Sequence, residues 1–149
     1  MYTGDIFRKL ADEKGMSLLD FGDYAGEHPE IDRELDERQL EIARSENVIL
    51  EGRVAGWICH INDVDSFKIW LDADIEVRAE RVAKREGKDI ETVLWEIKDR
   101  EESERARYKV IYDFDMGDRS FYDIVIDTGP LTPENICDLI LLKIQGGAR

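Results

Sequence analysis

Short apolar segments alternate with longer amphipathic segments along this chain. The short ones cover residues 47–50, 67–72 and 122–127. The stretches around them carry apolar residues at helical spacing. Short apolar strands separated by helices are typical of a parallel sheet with helices on both faces. The sequence therefore predicts an α/β fold, and no repeat or linker suggests a second domain.

Capping residues predict where the helices begin and end. Thr3 or Asp5 is expected to cap a first helix that ends near Gly15, and Ser17 is expected to cap a second helix through Tyr24. Three later helices begin at a predicted cap as well, namely Asp74, Asp89 and Thr132, and a fourth follows the break at Pro29. These further helices are predicted over about 29–45, 74–86, 89–113 and 132–146.

The charge balance excludes several classes of partner. The chain carries 35 acidic and 21 basic residues, a net charge of -14. Nucleic acids and anionic membrane surfaces both require basic protein surfaces, so neither is an expected partner. An anionic ligand would need a local cluster of arginines, because the overall field repels it.

Other site and targeting signals are weak. Cys59 and Cys137 form no CxxC pair, and His28 and His60 lack metal-ligand spacing, so no metal site is predicted. The apolar runs are too short to span a bilayer, and no signal pattern opens the chain. We therefore expect a cytoplasmic protein.

Arginines are concentrated on two successive predicted helices. The helix over 89–113 has an apolar stripe that turns polar at Arg100, Glu104 and Arg107, which share one side of the helix. The preceding helix carries Arg78, Arg81 and Arg85. A solvated charged face is one interpretation, and a local phosphate site is the other, which the strongly acidic balance favours.

A second candidate follows the segment over 47–50. There Gly52 allows close approach of the backbone, and Arg53 can bind a phosphate or carboxylate through two parallel hydrogen bonds. A surface charge pair with Glu51 is the simpler alternative. The chain contains neither a GxxxxGK[ST] nor a GxGxxG motif, so the glycine-rich loops that cradle phosphates are missing from it.

Five segments in order resemble the archaeal-type cytidylate kinases, which are nucleoside monophosphate kinases of the P-loop fold. They are TGDIFR at 3–8, NVILEGRVAGW at 47–57, KIWLDADIEVRAERVAKREG at 68–87, REESERARYKVIYDFD at 100–115 and DIVIDTGPLTPENICDLIL at 123–141. The resemblance implies transfer of the γ-phosphate of ATP to CMP or dCMP with Mg²⁺. It also implies a single domain over 1–149, with a monophosphate-binding region at about 3–46 and a lid at about 86–110.

The resemblance assigns roles to eight residues. Arginines suit phosphoryl transfer because they stabilise the negative charge that spreads over the transferred group. A lid that closes over the reaction centre would also exclude water. The substrate-binding residues implied are Thr3, Arg8, Arg53, Arg78 and Glu104, and the catalytic ones are Arg100, Arg105 and Arg107.

One departure from the family pattern concerns its opening strand, phosphate loop and helix, which precede the segment matching Tyr2. That unit is missing from this sequence, so we expect a truncated kinase or a relative that has lost ATP binding. Without the strand, residues 48–50 and 68–71 are expected to pair with each other or to leave an open slot. Another chain or an upstream segment completing the sheet is a further alternative. A non-catalytic nucleotide-binding relative and a kinase of another nucleoside monophosphate also stay open.

Overall fold

A computed structural model describes residues 2–45 and 47–147. Helices dominate these residues, and the two strands are short. In chain order the elements are α1 (Thr3–Glu13), α2 (Leu18–Glu27), α3 (Pro29–Ala43), α4 (Ala55–Ile61), β1 (Ile69–Asp72), α5 (Ile75–Glu86), α6 (Ile90–Tyr112), β2 (Ile124–Asp127) and α7 (Pro133–Gly147).

The chain divides into two compact units, Met1–Ser66 (unit 1) and Phe67–Arg149 (unit 2). Unit 1 holds α1 to α4, whereas unit 2 holds both strands and α5 to α7. The single domain over 1–149, with its monophosphate-binding region and lid, stays a prediction.

The core of unit 1 forms where α1, α2 and α3 pack together. Ile6 and Leu10 on α1 are one helical turn apart, and so are Ile31 and Leu35 on α3, which brings each pair onto one face. Phe21 of α2 is completely buried between them. This apolar face holds the three helices together and so fixes the position of the first residues of α1.

The predicted caps of unit 1 are partly correct. Ser17 caps α2, and its hydroxyl accepts a hydrogen bond from the Asp20 amide at 3.2 Å. The prediction that Thr3 or Asp5 caps α1 is wrong, because the cap position is Tyr2 and no side chain bonds there. The Thr3 hydroxyl points to other partners.

The predicted strand over 47–50 is wrong. Residues 48–50 have no regular secondary structure, and Ile49 is 85% exposed. An isolated parallel bridge joins Tyr2 and Glu51, one residue beyond the apolar run. A strand needs a ladder of several bonded neighbours, and a single bridge does not provide it. Because no strand forms over 48–50, its predicted direct pairing with 68–71 does not form either.

Helix α4 was not predicted from the sequence. It begins at Ala55, two residues after Arg53. Its apolar residues sit at helical spacing, with Ala55, Trp57 and Ile58 buried. Helix α4 packs on α3. The signal was present in the sequence but short, since the helix has only seven residues.

The strands of unit 2 form a parallel sheet, as the alternation of strands and helices predicts. Strand β1 pairs with β2 in register from Ile69 opposite Ile124 to Asp72 opposite Asp127. Two helices, α5 and α6, lie between the strands in the chain, as a parallel crossover requires. The carboxyl ends of both strands therefore lie at the same edge.

Helices α5 and α6 pack through small residues. Ala79 and Ala83 of α5 are buried against Val93 of α6. Gly87 ends α5 in the left-handed conformation with φ of 68°, which favours glycine. The predicted Asp89 cap of α6 is confirmed, because its carboxylate accepts from the Thr92 amide at 3.0 Å. Among the described residues, no helix is both long and apolar enough to cross a membrane.

Candidate functional site

The carboxyl edge of the β1–β2 pair is held by hydrogen bonds from Thr128 and Arg81. The Asp72 carbonyl accepts from the Thr128 amide at 2.7 Å and from its hydroxyl at 2.8 Å. The Arg81 guanidinium donates to the Thr128 carbonyl at 2.6 Å and to its Oγ1 at 3.0 Å. Arg81 therefore fixes the loop after β2, which the sequence did not reveal.

Arg78 is held between the start of its own helix and α6. Its Nε donates to the Ala73 carbonyl at 3.1 Å, and its Nη1 forms an ion pair with Glu101. Ala73 directly follows β1, so Arg78 lies at the edge where ligands bind in parallel α/β sheets. In this structure the charge of Arg78 is met by a carboxylate of α6.

The polar side of α6 contains a partly buried ion pair. Arg100 Nε donates to Glu104 Oε1 at 2.8 Å, as their i, i+4 spacing predicts. Glu104 is a buried residue, whereas Arg105 is exposed and Arg107 is half-buried. Helix α6 thus carries three arginines over two turns, with one buried carboxylate among them.

Unit 1 carries the other three predicted site residues. Thr3 begins α1, Arg8 lies on the same helix, and Arg53 precedes α4. Arg8 forms an ion pair with Asp5 across one turn, and its side chain is mostly exposed. Arg53 is exposed as well. Unit 1 therefore offers a hydroxyl and two accessible guanidinium groups.

A partly buried hydrogen-bond network ties Thr3 to α3. Thr3 Oγ1 lies 2.9 Å from Gln39 Oε1 and 2.8 Å from the Glu51 carbonyl oxygen. Gln39 Nε2 donates to Asp36 Oδ1 at 3.1 Å. Sequence reasoning missed Gln39, although one signal was available: a polar residue continues the apolar i, i+4 stripe of Ile31 and Leu35.

Gly52 is required by this network for steric reasons. A Cβ atom at this position would lie 2.1 Å from Thr3 Oγ1 and 2.9 Å from Gln39 Oε1. Both distances are shorter than any van der Waals contact, so a larger residue would displace the Thr3 side chain. The close approach that the sequence suggested for Gly52 is therefore toward Thr3, in the segment that leads into Arg53.

The residues present do not supply every group that phosphoryl transfer from ATP needs, because metal ligands and a phosphate loop are also required. The described residues contain no group of three or more His, Cys, Asp or Glu side chains that could hold a metal ion. The sequence contains no glycine-rich phosphate loop. What the chain does supply is arginine on both units, which suits binding and charge stabilisation of phosphates.

Comparisons with known proteins all find similarity to cytidylate kinases. Residues 1–130 match the cytidylate kinase-like family. The chain is 51% identical over 145 residues to the cytidylate kinase of Pyrococcus horikoshii, a match that covers 97% of this chain and 74% of that protein. It is 47% identical over 144 residues to the cytidylate kinase of Methanocaldococcus jannaschii, covering 96% and 81% of the two chains. The cytidylate kinase of Methanopyrus kandleri is 50% identical over 152 residues, covering 97% and 79%.

Proposed function

The chain belongs to the cytidylate kinase-like family, and on that premise we propose that it transfers the γ-phosphate of ATP to CMP or dCMP with Mg²⁺. The observation that carries the proposal is the identity of about 50% to cytidylate kinases over 97% of the chain. The predicted strands β1 and β2, with their parallel pairing, agree with the fold that such enzymes require.

Unit 1 is proposed to bind the nucleoside monophosphate. Thr3, Arg8 and Arg53 are polar or cationic and lie on one unit, and the two arginines are accessible to a ligand. Guanidinium groups bind phosphate through charge-assisted hydrogen bonds, which are stronger than neutral ones. In a chain of net charge -14, cationic side chains are needed to hold an anionic nucleotide.

Helix α6 of unit 2 is proposed to supply the charge stabilisation of the reaction. Arg100, Arg105 and Arg107 would neutralise the negative charge that spreads over the transferred phosphoryl group. Glu104 and Arg78 are proposed to bind substrate from the same unit. The chain's own residues do not account for the phosphate loop or the Mg²⁺ ligands, so no step is assigned to ATP or to the metal.

Replacing Arg8 tests the proposed acceptor site. We expect Arg8→Ala to weaken CMP binding about 10- to 100-fold, because the loss of a hydrogen bond to a charged group costs roughly 1.5–3 kcal/mol. Isothermal titration of CMP into the purified chain measures the dissociation constant. Lys9→Ala, which removes the exposed neighbouring cation on α1, is the matched control and should change the affinity less than threefold. Equal losses in both variants would show that only the general charge matters.

Replacing Glu101 tests the role of Arg78. Glu101 competes with an incoming phosphate for the Arg78 guanidinium, because the two residues form an ion pair. We expect Glu101→Gln to strengthen nucleotide binding about two- to fivefold, which corresponds to the roughly 0–1 kcal/mol of a partly exposed pair. Titrations with CMP and with ATP would both be measured, with Glu102→Gln as the control on an exposed position of α6. If neither nucleotide binds more tightly to Glu101→Gln, Arg78 is not a phosphate ligand.

A nucleotide-binding protein without catalytic activity is the second candidate. The 149 residues contain no GxxxxGK[ST] motif, and such a protein would bind the monophosphate without transferring phosphate to it. Both candidates share the acceptor site of unit 1 and differ in ATP turnover.

A further inference from the structure

The hydrogen-bond network of unit 1 limits what the Thr3 hydroxyl can do for a ligand. A threonine hydroxyl has one proton to donate and two lone pairs that accept. Both neighbours of Thr3 Oγ1 are acceptors, the Gln39 side-chain oxygen at 2.9 Å and the Glu51 carbonyl oxygen at 2.8 Å. Its single proton is therefore already committed to oxygen atoms of the protein.

The orientation of the Gln39 amide follows from its other partner. Its nitrogen donates to the Asp36 carboxylate at 3.1 Å, so the oxygen must face Thr3. Turning the amide around would place its oxygen against a carboxylate oxygen, which is repulsive. Gln39 is completely buried, so its amide depends on these protein partners. The Asp36 carboxylate thus fixes Gln39, and Gln39 in turn fixes Thr3.

A hydroxyl whose proton is already used can only accept further hydrogen bonds, so it suits only the donor groups of a nucleotide. A phosphate dianion offers acceptors alone and gains nothing from such a hydroxyl. The nucleoside part of CMP offers donors, namely the exocyclic amino group of the base and the ribose hydroxyls. Arginines are donors only and match the phosphate instead.

We propose that Gln39 is a positioning residue of the acceptor site: it orients the Thr3 hydroxyl to accept a hydrogen bond from a donor group of the nucleoside, and it leaves the phosphate to the arginines. The inference rests on the proposed function, because it specifies the monophosphate site of unit 1. Gly52 belongs to the same arrangement, since any side chain there would push Thr3 away from this geometry.

Titrating both CMP and cytidine tests this assignment. Thr3→Val and Gln39→Met should each weaken the binding of both ligands about tenfold, which corresponds to the loss of one hydrogen bond. The double variant should be no weaker than either single one, because both remove the same interaction. Thr3→Ser keeps the hydroxyl and should stay within about threefold of the original chain. Arg8→Ala should instead weaken CMP and leave cytidine unchanged.

Ile31→Ala is the control for general loss of stability. This residue is buried on α3 in the apolar core, eight residues before Gln39 in the sequence. We expect the variant to lower the melting temperature and to leave the affinity for CMP within about threefold. If Ile31→Ala weakens CMP as much as Gln39→Met does, the role of Gln39 is merely structural.

The other outcomes distinguish a failure of the proposed role of Gln39 from a failure of the proposed function. Unchanged binding by folded Gln39→Met overturns the inference and leaves the proposed function intact. Loss of CMP affinity with unchanged cytidine affinity in Thr3→Val places Thr3 on the phosphate and also overturns it. Failure of the original chain to bind either ligand refutes the acceptor site, and the inference with it. If Gln39→Met does not fold, Thr3→Val and Thr3→Ser are compared instead. For each variant, the ratio of the CMP affinity to the cytidine affinity shows whether the Thr3 hydroxyl binds the nucleoside or the phosphate.

Discussion

The polypeptide of residues 1–149 is expected to bind CMP and to consume ATP no faster than background. An N-terminal extension carrying a strand, a GxxxxGK[ST] loop and a helix is expected to raise CMP-dependent turnover roughly a thousandfold or more, since positioning and charge stabilisation provide most of the catalysis of phosphoryl transfer. The loop contributes backbone N–H groups at a helix N-terminus, a lysine and a hydroxyl for Mg²⁺. None of the sequence's eleven glycines belongs to such a loop.

A coupled assay of ADP release with and without CMP measures this effect. The matched control is the same extension with the loop lysine changed to alanine, which should return turnover close to background. Robust CMP-dependent turnover by residues 1–149 alone would contradict the expectation and would show that the arginines suffice. CMP binding without turnover, even in the extended protein, would favour the non-catalytic candidate.

Much of the fold was predictable because its signals are local. Asp89 and Thr132 cap α6 and α7 as predicted, and each side-chain oxygen accepts from the amide three residues on. Such caps depend on a few adjacent residues, so no knowledge of the tertiary structure is needed. The strands β1 and β2 were also recognisable, since fully apolar runs between helices indicate a parallel sheet.

The predicted strand over 47–50 is wrong for a reason that lies outside the segment itself. Its apolar residues are as suitable for a strand as those of β1, but a strand also needs a neighbour along its length. In unit 1 the chain beside it forms a single bridge, from Tyr2 to Glu51, and Thr3 already begins α1. The composition of a segment indicates which secondary structure it can form. Whether a strand forms also depends on a neighbouring strand being available to pair with it.

The sequence predicts which types of residue form the candidate site, but it does not predict most of their hydrogen-bond partners. Helical spacing placed Arg100 and Glu104 on one side of α6, and they do form an ion pair. It could not show that Arg81 bonds the Thr128 carbonyl, 47 residues away, or that Gln39 bonds Thr3 across 36 residues. Hydrogen bonds between residues this far apart depend on how distant elements pack, which no local pattern encodes.

The sheet of unit 2 has the features of an incomplete structure. Parallel sheets are ordinarily covered on both faces, yet Leu71 of β1 is 52% exposed and Val125 of β2 is 49% exposed. A pair of strands is also marginally stable in water unless further strands or helices cover its apolar side chains. Among the described residues, β1 and β2 form the whole sheet. The apolar core of α1 to α3 in unit 1 has no comparable exposure.

We therefore expect the amides of β1 and β2 to exchange with solvent about a hundredfold faster than those of Leu10 and Leu35, because weakly packed elements open at a lower free energy than a buried core. Hydrogen exchange followed by NMR on the monomeric polypeptide measures both sets in one sample. The extended protein with its added strand is the comparison, and there the β1 amides should slow by about the same factor, since an added strand covers an edge and buries apolar side chains. Slow exchange through both strands of the 149-residue monomer would show that the two-stranded sheet is complete by itself. In that case the exposed Leu71 and Val125 would be ordinary surface residues, and no further strand would be needed to explain them.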